Sequence, residues 1–154
     1  MAVDIAVESV RTLADSGELW PLLEDHRDEL TTNKALMELS PDWGRYIDCE
    51  RVGVLFVLSA RENERLIGYS ANFIAPHLHY SKLRYANNDL LFIARSHRRG
   101  STGWRLIRET EAEAKRRGAQ MMVWHAKPGT SLDMLLSRHP HYRVQDIMHS
   151  RILE

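Results

Sequence analysis

The chain contains a single cysteine, Cys49, so no intrachain disulfide can form, which fits a reducing compartment. It has no apolar run long enough to span a bilayer. The opening residues Met1-Ala2-Val3-Asp4 have no basic segment leading into an apolar one, so no secretory signal is expected. Excess charge of one sign is missing too. Twenty-one basic residues balance 21 acidic ones, which argues against a dedicated nucleic-acid binder. Repeats, low-complexity tracts and Gly/Ser/Pro linkers are absent, so a single domain over residues 1–154 is expected, in a cytoplasmic protein.

What is present suits a globular domain: 44% apolar and 27% charged residues over 154 positions allow one substantial core. Residues 2–7 read as a first strand. Leu19, Leu22, Leu23 and Leu30 recur near the helical period, and helix is expected from Val10 to Leu39. Ser40-Pro41-Asp42 predicts the start of a second helix, with Pro41 in its first position, ending near Cys49. Val52–Ala60 and Leu66–Ala75 read as strands joined by a turn at Arg61-Glu62-Asn63-Glu64. A loop is expected from Pro76 to Asn88, then a strand over Leu90–Ala94. Strands are also expected at Met121–Trp124 and Val144–Leu153, with a short helix between them through Leu136. Thr130 or Ser131 would cap that helix, with Asp133 at capping-box distance from Thr130. Helices interleaved with a mixed sheet make an α/β or α+β domain.

The most telling segment runs from Asp89 to Gly118. A short strand enters Arg98-Arg99-Gly100-Ser101-Thr102-Gly103, and a helix follows with a stripe at Gly103, Leu106, Ile107, Thr110 and Ala114. The first turn of a helix offers unpaired N–H groups at a positive dipole end. Glycine lets an anion come close to that backbone, and arginine adds charge-assisted bonds to phosphate. The same arginines would be merely solvated in an ordinary strand-to-helix loop.

This order of elements, with a basic turn between the fourth strand and a long helix, resembles the GNAT superfamily of acetyl-CoA-dependent N-acetyltransferases. The family signature Gln/Arg-x-x-Gly-x-Gly/Ala falls on Arg98 to Gly103, with Ser101 where the first glycine belongs and Gly100 one place early. The resemblance covers roughly residues 52–153. His77 to Asp89 and Gly129 to Leu153 also resemble small bacteriophage and prophage members. It implies a twisted, mostly antiparallel sheet of six or seven strands, helices on both faces, and splayed fourth and fifth strands. It further implies acetyl transfer from acetyl-CoA to a primary amine by direct attack in a ternary complex. The alternative is a catalytically inactive acyl-CoA-binding or protein-interaction module on the same fold.

By that resemblance, Ile93, Ala94 and Arg95 would pair with the pantetheine arm. Arg98 and Arg99 would meet phosphate, and the backbone from Arg99 through Gly100, Ser101, Thr102 and Gly103 to Trp104 would cradle the diphosphate. Trp104 would cover the adenine side or simply pack. Asp89 stands where the family often has an acidic residue at the start of the fourth strand, and is expected as the general base. Strand alternation would set it on the face of Leu91 and Ile93. An aspartate capping a turn after Asn87-Asn88 is the competing reading. Ser137 occupies the position of the family's tyrosine acid, so the proton donor is open among Ser137, Tyr142, Tyr80 and water. His79, Tyr80 and His125 are expected near the acceptor. No metal, membrane or nucleic acid is expected, and a homodimer is admissible.

Overall fold

The computed structural model describes residues 2–153, which group into two compact units meeting after Trp124. The first unit holds β1 (Val3–Val7), α1 (Val10–Asp15), α2 (Leu19–Leu30) and α3 (Trp43–Arg51). β2 (Leu55–Glu62), β3 (Arg65–Pro76) and β4 (Arg84–Ile93) follow. A 3₁₀ turn (Arg95–His97), α4 (Thr102–Arg116) and β5 (Met121–Val123) complete it. One sheet of five strands runs β1-β2-β3-β4-β5, antiparallel except for the parallel β4–β5 pair.

Each face of the sheet is covered. Leu55, Val57, Tyr69, Ala71 and Phe92 point to the side of α1–α3 and pack with Val10, Leu13, Leu19, Leu22 and Leu23. Phe56, Leu58, Ile67, Ile74 and Ile93 point to the other side, where Leu106 and Ala114 of α4 close the second core. Burial of this kind contributes about 1.5–3 kcal/mol per large apolar side chain. The apolar, β-branched strand segments and the α4 stripe were legible in the sequence, and the helices on both faces were what the family resemblance implied.

The helical region departs from expectation. Gly17, at φ +72°, ends α1 after Asp15, and α2 restarts two residues later. After Leu30 the chain leaves helix until Asp42, whose carboxylate accepts from the Arg45 N–H and caps α3. Pro41 therefore precedes the cap instead of opening the helix. The β2–β3 turn is tighter than read: only Asn63 and Glu64 stand outside the strands, both at positive φ, as a two-residue turn of this hand requires.

Gly68 brings β3 and β4 together. A Cβ there would collide with the Ile93 side chain, and would lie 2.6 Å from the Phe92 carbonyl oxygen and 3.2 Å from the Ile93 Cα. Backbone cannot swing away as a side chain can. Gly68→Ala is expected to cost about 3 kcal/mol, by the usual scale of overpacking. Urea denaturation checks it, and a loss below about 1 kcal/mol would mean the two strands separate freely.

In the second unit, α5 (Ser131–Ser137) begins at Thr130, whose hydroxyl accepts from the Asp133 N–H. The Asp133 carboxylate turns back to the Gly129 N–H at 2.8 Å, one residue before the reciprocal position of a capping box. Residues 143–153 carry no strand, so the closing strand expected at Val144–Leu153 is not formed and the sheet has five strands among the described residues.

Candidate functional site

β4 starts at Arg84, six residues earlier than expected, and pairs with β5 only at Tyr85–Asn87 against Met121–Val123. Beyond Asn87 its outer edge has no strand partner among the described residues. The bond from the Ala94 N–H to the Ile67 oxygen, 2.8 Å, sets the phase of the β3–β4 ladder. Antiparallel alternation then turns the backbone groups of Leu91 and Ile93 toward the open edge. Accordingly the Ile93 carbonyl accepts from Arg98 Nε at 2.7 Å.

The open edge leads into the basic turn. Gly100 takes φ +69°, which a side chain would resist. α4 then begins with no side-chain cap from Ser101, and its first turn bond runs from the Arg105 N–H to the Ser101 oxygen. Gly103 lies in the first turn of α4, and a Cβ built there meets nothing within 4 Å. Thr102 is buried, and Trp104 is half-buried under the Arg108 guanidinium, 5.9 Å from the ring centre.

The two flanking arginines differ. Arg99 is exposed with no acidic partner among the described residues. Arg98 grips both oxygens of Glu29 on α2, at 2.6 and 2.8 Å, and lies over the Phe92 ring; Arg95 reaches the same carboxylate at 3.1 Å. Arg98 thus ties the turn to α2, a role the sequence could not reveal because its partner lies 69 residues away. The Arg98 bonds hold the Glu29 carboxyl down at about 2, against a penalty from burial, with Arg95 helping.

A carboxyl lowered by folding stabilises the fold above its ordinary value near 4.5, and the contribution disappears as pH falls toward 2. Glu29→Gln is therefore expected to be less stable than the parent by a constant amount from pH 7 to 5, with the gap closing between 4.5 and 2. Urea titrations across that range check it, and a gap independent of pH would contradict it.

Asp89 sits within β4, not at its start. Asn72 pairs with Asn88 and Ala71 with Leu90, so Asp89 is the extra residue of a β-bulge. The bulge interrupts the alternation that would have set it beside Leu91 and Ile93. Its Oδ2 instead accepts from the Tyr46 hydroxyl of α3, at 3.3 Å, on the side of α1–α3. A buried knot holds the bulge: Asn88 Nδ2 donates to Asn72 Oδ1 at 2.9 Å and to the Leu90 carbonyl at 3.0 Å, and Asn72 Nδ2 donates to Ser70 Oγ. Burial, then the charge and hydrogen bond of Asp89, push the Tyr46 hydroxyl up to about 12, so it stays protonated at neutral pH.

Next to this pair is a cavity of about 320 Å³ between α1–α3, the segment from Thr31 to Pro41, and the sheet. Leu90, Tyr46 and Tyr69 line it, as does His26 of α2. His26 Nδ1 is 2.7 Å from the Tyr69 hydroxyl, and its ring stacks on Phe92. Burial drives the Tyr69 hydroxyl far above its ordinary range.

Two of the residues expected at the acceptor, His79 and Tyr80, lie away from this cavity within the first unit. His79 and Tyr80 lie exposed in the loop between β3 and β4, where His77 Nδ1 accepts from both of their N–H groups. That loop stands at the opposite end of β4 from the basic turn, and neither residue lines the cavity. His125 and Ser137 belong to the second unit. There His125 is exposed, and the Ser137 hydroxyl donates to Asp133 Oδ1 at 3.3 Å. Among the described residues, no group of three His, Cys, Asp or Glu side chains could hold a metal, and no helix is long and apolar enough to cross a membrane.

The model of the Acetyltransferase (GNAT) family matches residues 19–132. The chain belongs to the GNAT acetyltransferase family. Among solved structures, it is similar to a ribosomal-protein-alanine N-acetyltransferase from Brucella melitensis biovar Abortus 2308, at 21% identity and TM-score 0.73, with all of both chains covered. An aminoglycoside acetyltransferase from an uncultured soil metagenomic sample, in complex with sisomicin, matches at 16% identity and TM-score 0.75, covering 99% of this chain and 97% of that one. A Trypanosoma brucei acetyltransferase matches at 14% and 0.71, covering 99% and 100%. These likenesses are of fold. No curated protein sequence matches the chain significantly.

Within the family frame, Tyr46, His26, Tyr69 and the cavity are what sequence reasoning missed. The one available signal was Tyr46 in a short polar helix, and nothing local tied it to Asp89.

Proposed function

We propose that the chain moves an acetyl group from acetyl-CoA to a primary amine by direct attack in a ternary complex. The observation that carries this reading is the continuity of the open β4 edge, the Gly100 bend and the uncapped start of α4, with free space above Gly103. These groups fit the two ends of the cosubstrate. Backbone at Leu91 and Ile93 suits the amides of the pantetheine arm, and the first turn of α4, with Arg99 alongside, suits a diphosphate. Arg95 and Arg98 serve mainly to hold the turn, through Glu29.

Acetyl-CoA supplies an activated thioester carbonyl. The amine nitrogen forms a bond to that carbon, the carbon–sulfur bond breaks, and the proton then shed by the acylated nitrogen passes through water to the departing sulfur, so coenzyme A leaves as the thiol. An ammonium with a pKa near 10.4 must lose its proton first. Asp89 is the proposed base, directly or through water, its carboxylate steadied by Tyr46. Ser137 stands where a tyrosine acid is usual, and its engagement with Asp133 favours a second reading in which acetyl-CoA binds without turnover. The proposed setting is a single-domain cytoplasmic enzyme.

One experiment separates the readings. Acetyl-CoA is expected to raise the melting temperature, since it binds only the folded state. Release of free thiol with an amine panel is expected in addition. A thermal shift without thiol release would favour the non-catalytic reading, and no shift at all would remove both.

A further inference from the structure

The chemistry of the cavity under α1–α3 goes a step further, resting on the acetyl-transfer reading above. Its floor is sheet, at Val57, Ala71 and Leu90, and Leu13, Leu23 and Trp43 close it from the helices. Two charged residues touch it. Glu38 is exposed at the rim, and Arg27 is spent on the Met37 and Lys34 carbonyls at 2.9 and 2.8 Å. The uncharged polar side chains in its lining are few: the His26–Tyr69 pair, Thr31, Ser40, and the Tyr46 hydroxyl that leads to Asp89.

An amine carrying several ammonium groups would need several carboxylates here, because an unpaired charge in an apolar enclosure is costly. Among the described residues, Glu38 is the only acid in the lining. A peptide would need backbone partners, whereas the floor residues Val57, Ala71 and Leu90 already pair within the β2–β3–β4 ladder. A compact apolar body needs neither, and each square ångström it buries is worth about 25 cal/mol. At about 320 Å³ the space lies at the small end of ligand cavities, enough for one ring or branched chain.

We infer that this cavity takes the body of a small monoamine with an aromatic or branched aliphatic group, its nitrogen held at the Tyr46–Asp89 end. The class of acceptor is thereby set by α1–α3 and the floor of the sheet, and the loop at His79 and Tyr80 has no part in it.

The test uses 2-phenylethylamine, isoamylamine, spermidine, sisomicin and an alanine-terminated peptide, each with and without acetyl-CoA. Thermal shift reads binding and thiol release reads turnover. The first two amines are expected to stabilise the protein and to show kcat/KM at least tenfold above the other three. Ala71→Leu, which fills the floor, is expected to raise KM for 2-phenylethylamine at least tenfold while acetyl-CoA affinity stays the same. Val57→Leu provides the same measurement if Ala71→Leu folds poorly. Preference for spermidine, sisomicin or the peptide overturns the inference, as does an unchanged KM in a folded variant or the absence of any amine binding. Loss of acetyl-CoA binding alone would strike the acetyl-transfer reading, and the amine shifts measured without it still decide what the cavity accepts.

Discussion

Gly103→Glu is expected to abolish acetyl-CoA binding, by a factor of at least about 100, while the melting temperature holds or rises. The position lies in the first turn of α4, where a side chain meets nothing within 4 Å, so the fold has no objection to it. Glycine in a helix is disfavoured by about 1 kcal/mol relative to alanine, and a carboxylate near a helix N-terminus is itself stabilising. The same carboxylate would occupy the space proposed for the diphosphate and repel it. Stability and binding should therefore move independently. Calorimetry with coenzyme A decides the matter, and an unchanged affinity would place the diphosphate somewhere else.

Asp89→Asn is expected to lower kcat about 100-fold with little change in acetyl-CoA affinity, the usual scale for losing a positioned base. Asparagine keeps the size of the side chain and can still accept from Tyr46, so the bulge should survive. The loss should shrink as pH approaches the pKa of the acceptor amine, where free amine no longer needs a base. Steady-state rates from pH 6 to 10 provide the check. Equal rates for parent and variant across that range would exclude Asp89 from proton transfer.

The basic turn was legible because its signals are local: a short apolar strand, Gly100, and a helix with an apolar stripe lie within thirty residues. The order of the remaining elements, read from their own local patterns, then carried the family resemblance, and the family match agrees with it. The orientation of Asp89 was not legible. It depends on a bulge held by Asn72 and Asn88 across two strands, and alternation within one strand points the wrong way. The cavity was hidden for a related reason. Leu13, Val57, Ala71 and Leu90 read as ordinary core residues, and only the distances between elements reveal that they leave space. The single helix expected from Val10 to Leu39 rested on Leu19, Leu22, Leu23 and Leu30, all beyond Gly17, where the chain breaks. At the far end, Val144, Ile147, Met148 and Ile152 do not follow the two-residue period of a half-buried strand, and no strand forms there.

Helix α2 serves two neighbours at once. His26 borders the cavity, and Glu29, less than one turn further on, fastens Arg98 and Arg95. Residues three apart on a helix share a side and shift as one body. The wall proposed for one reactant and the strut beneath the turn proposed for the other are thus built on a single helix, so both proposed stations share one support with no hinge between them.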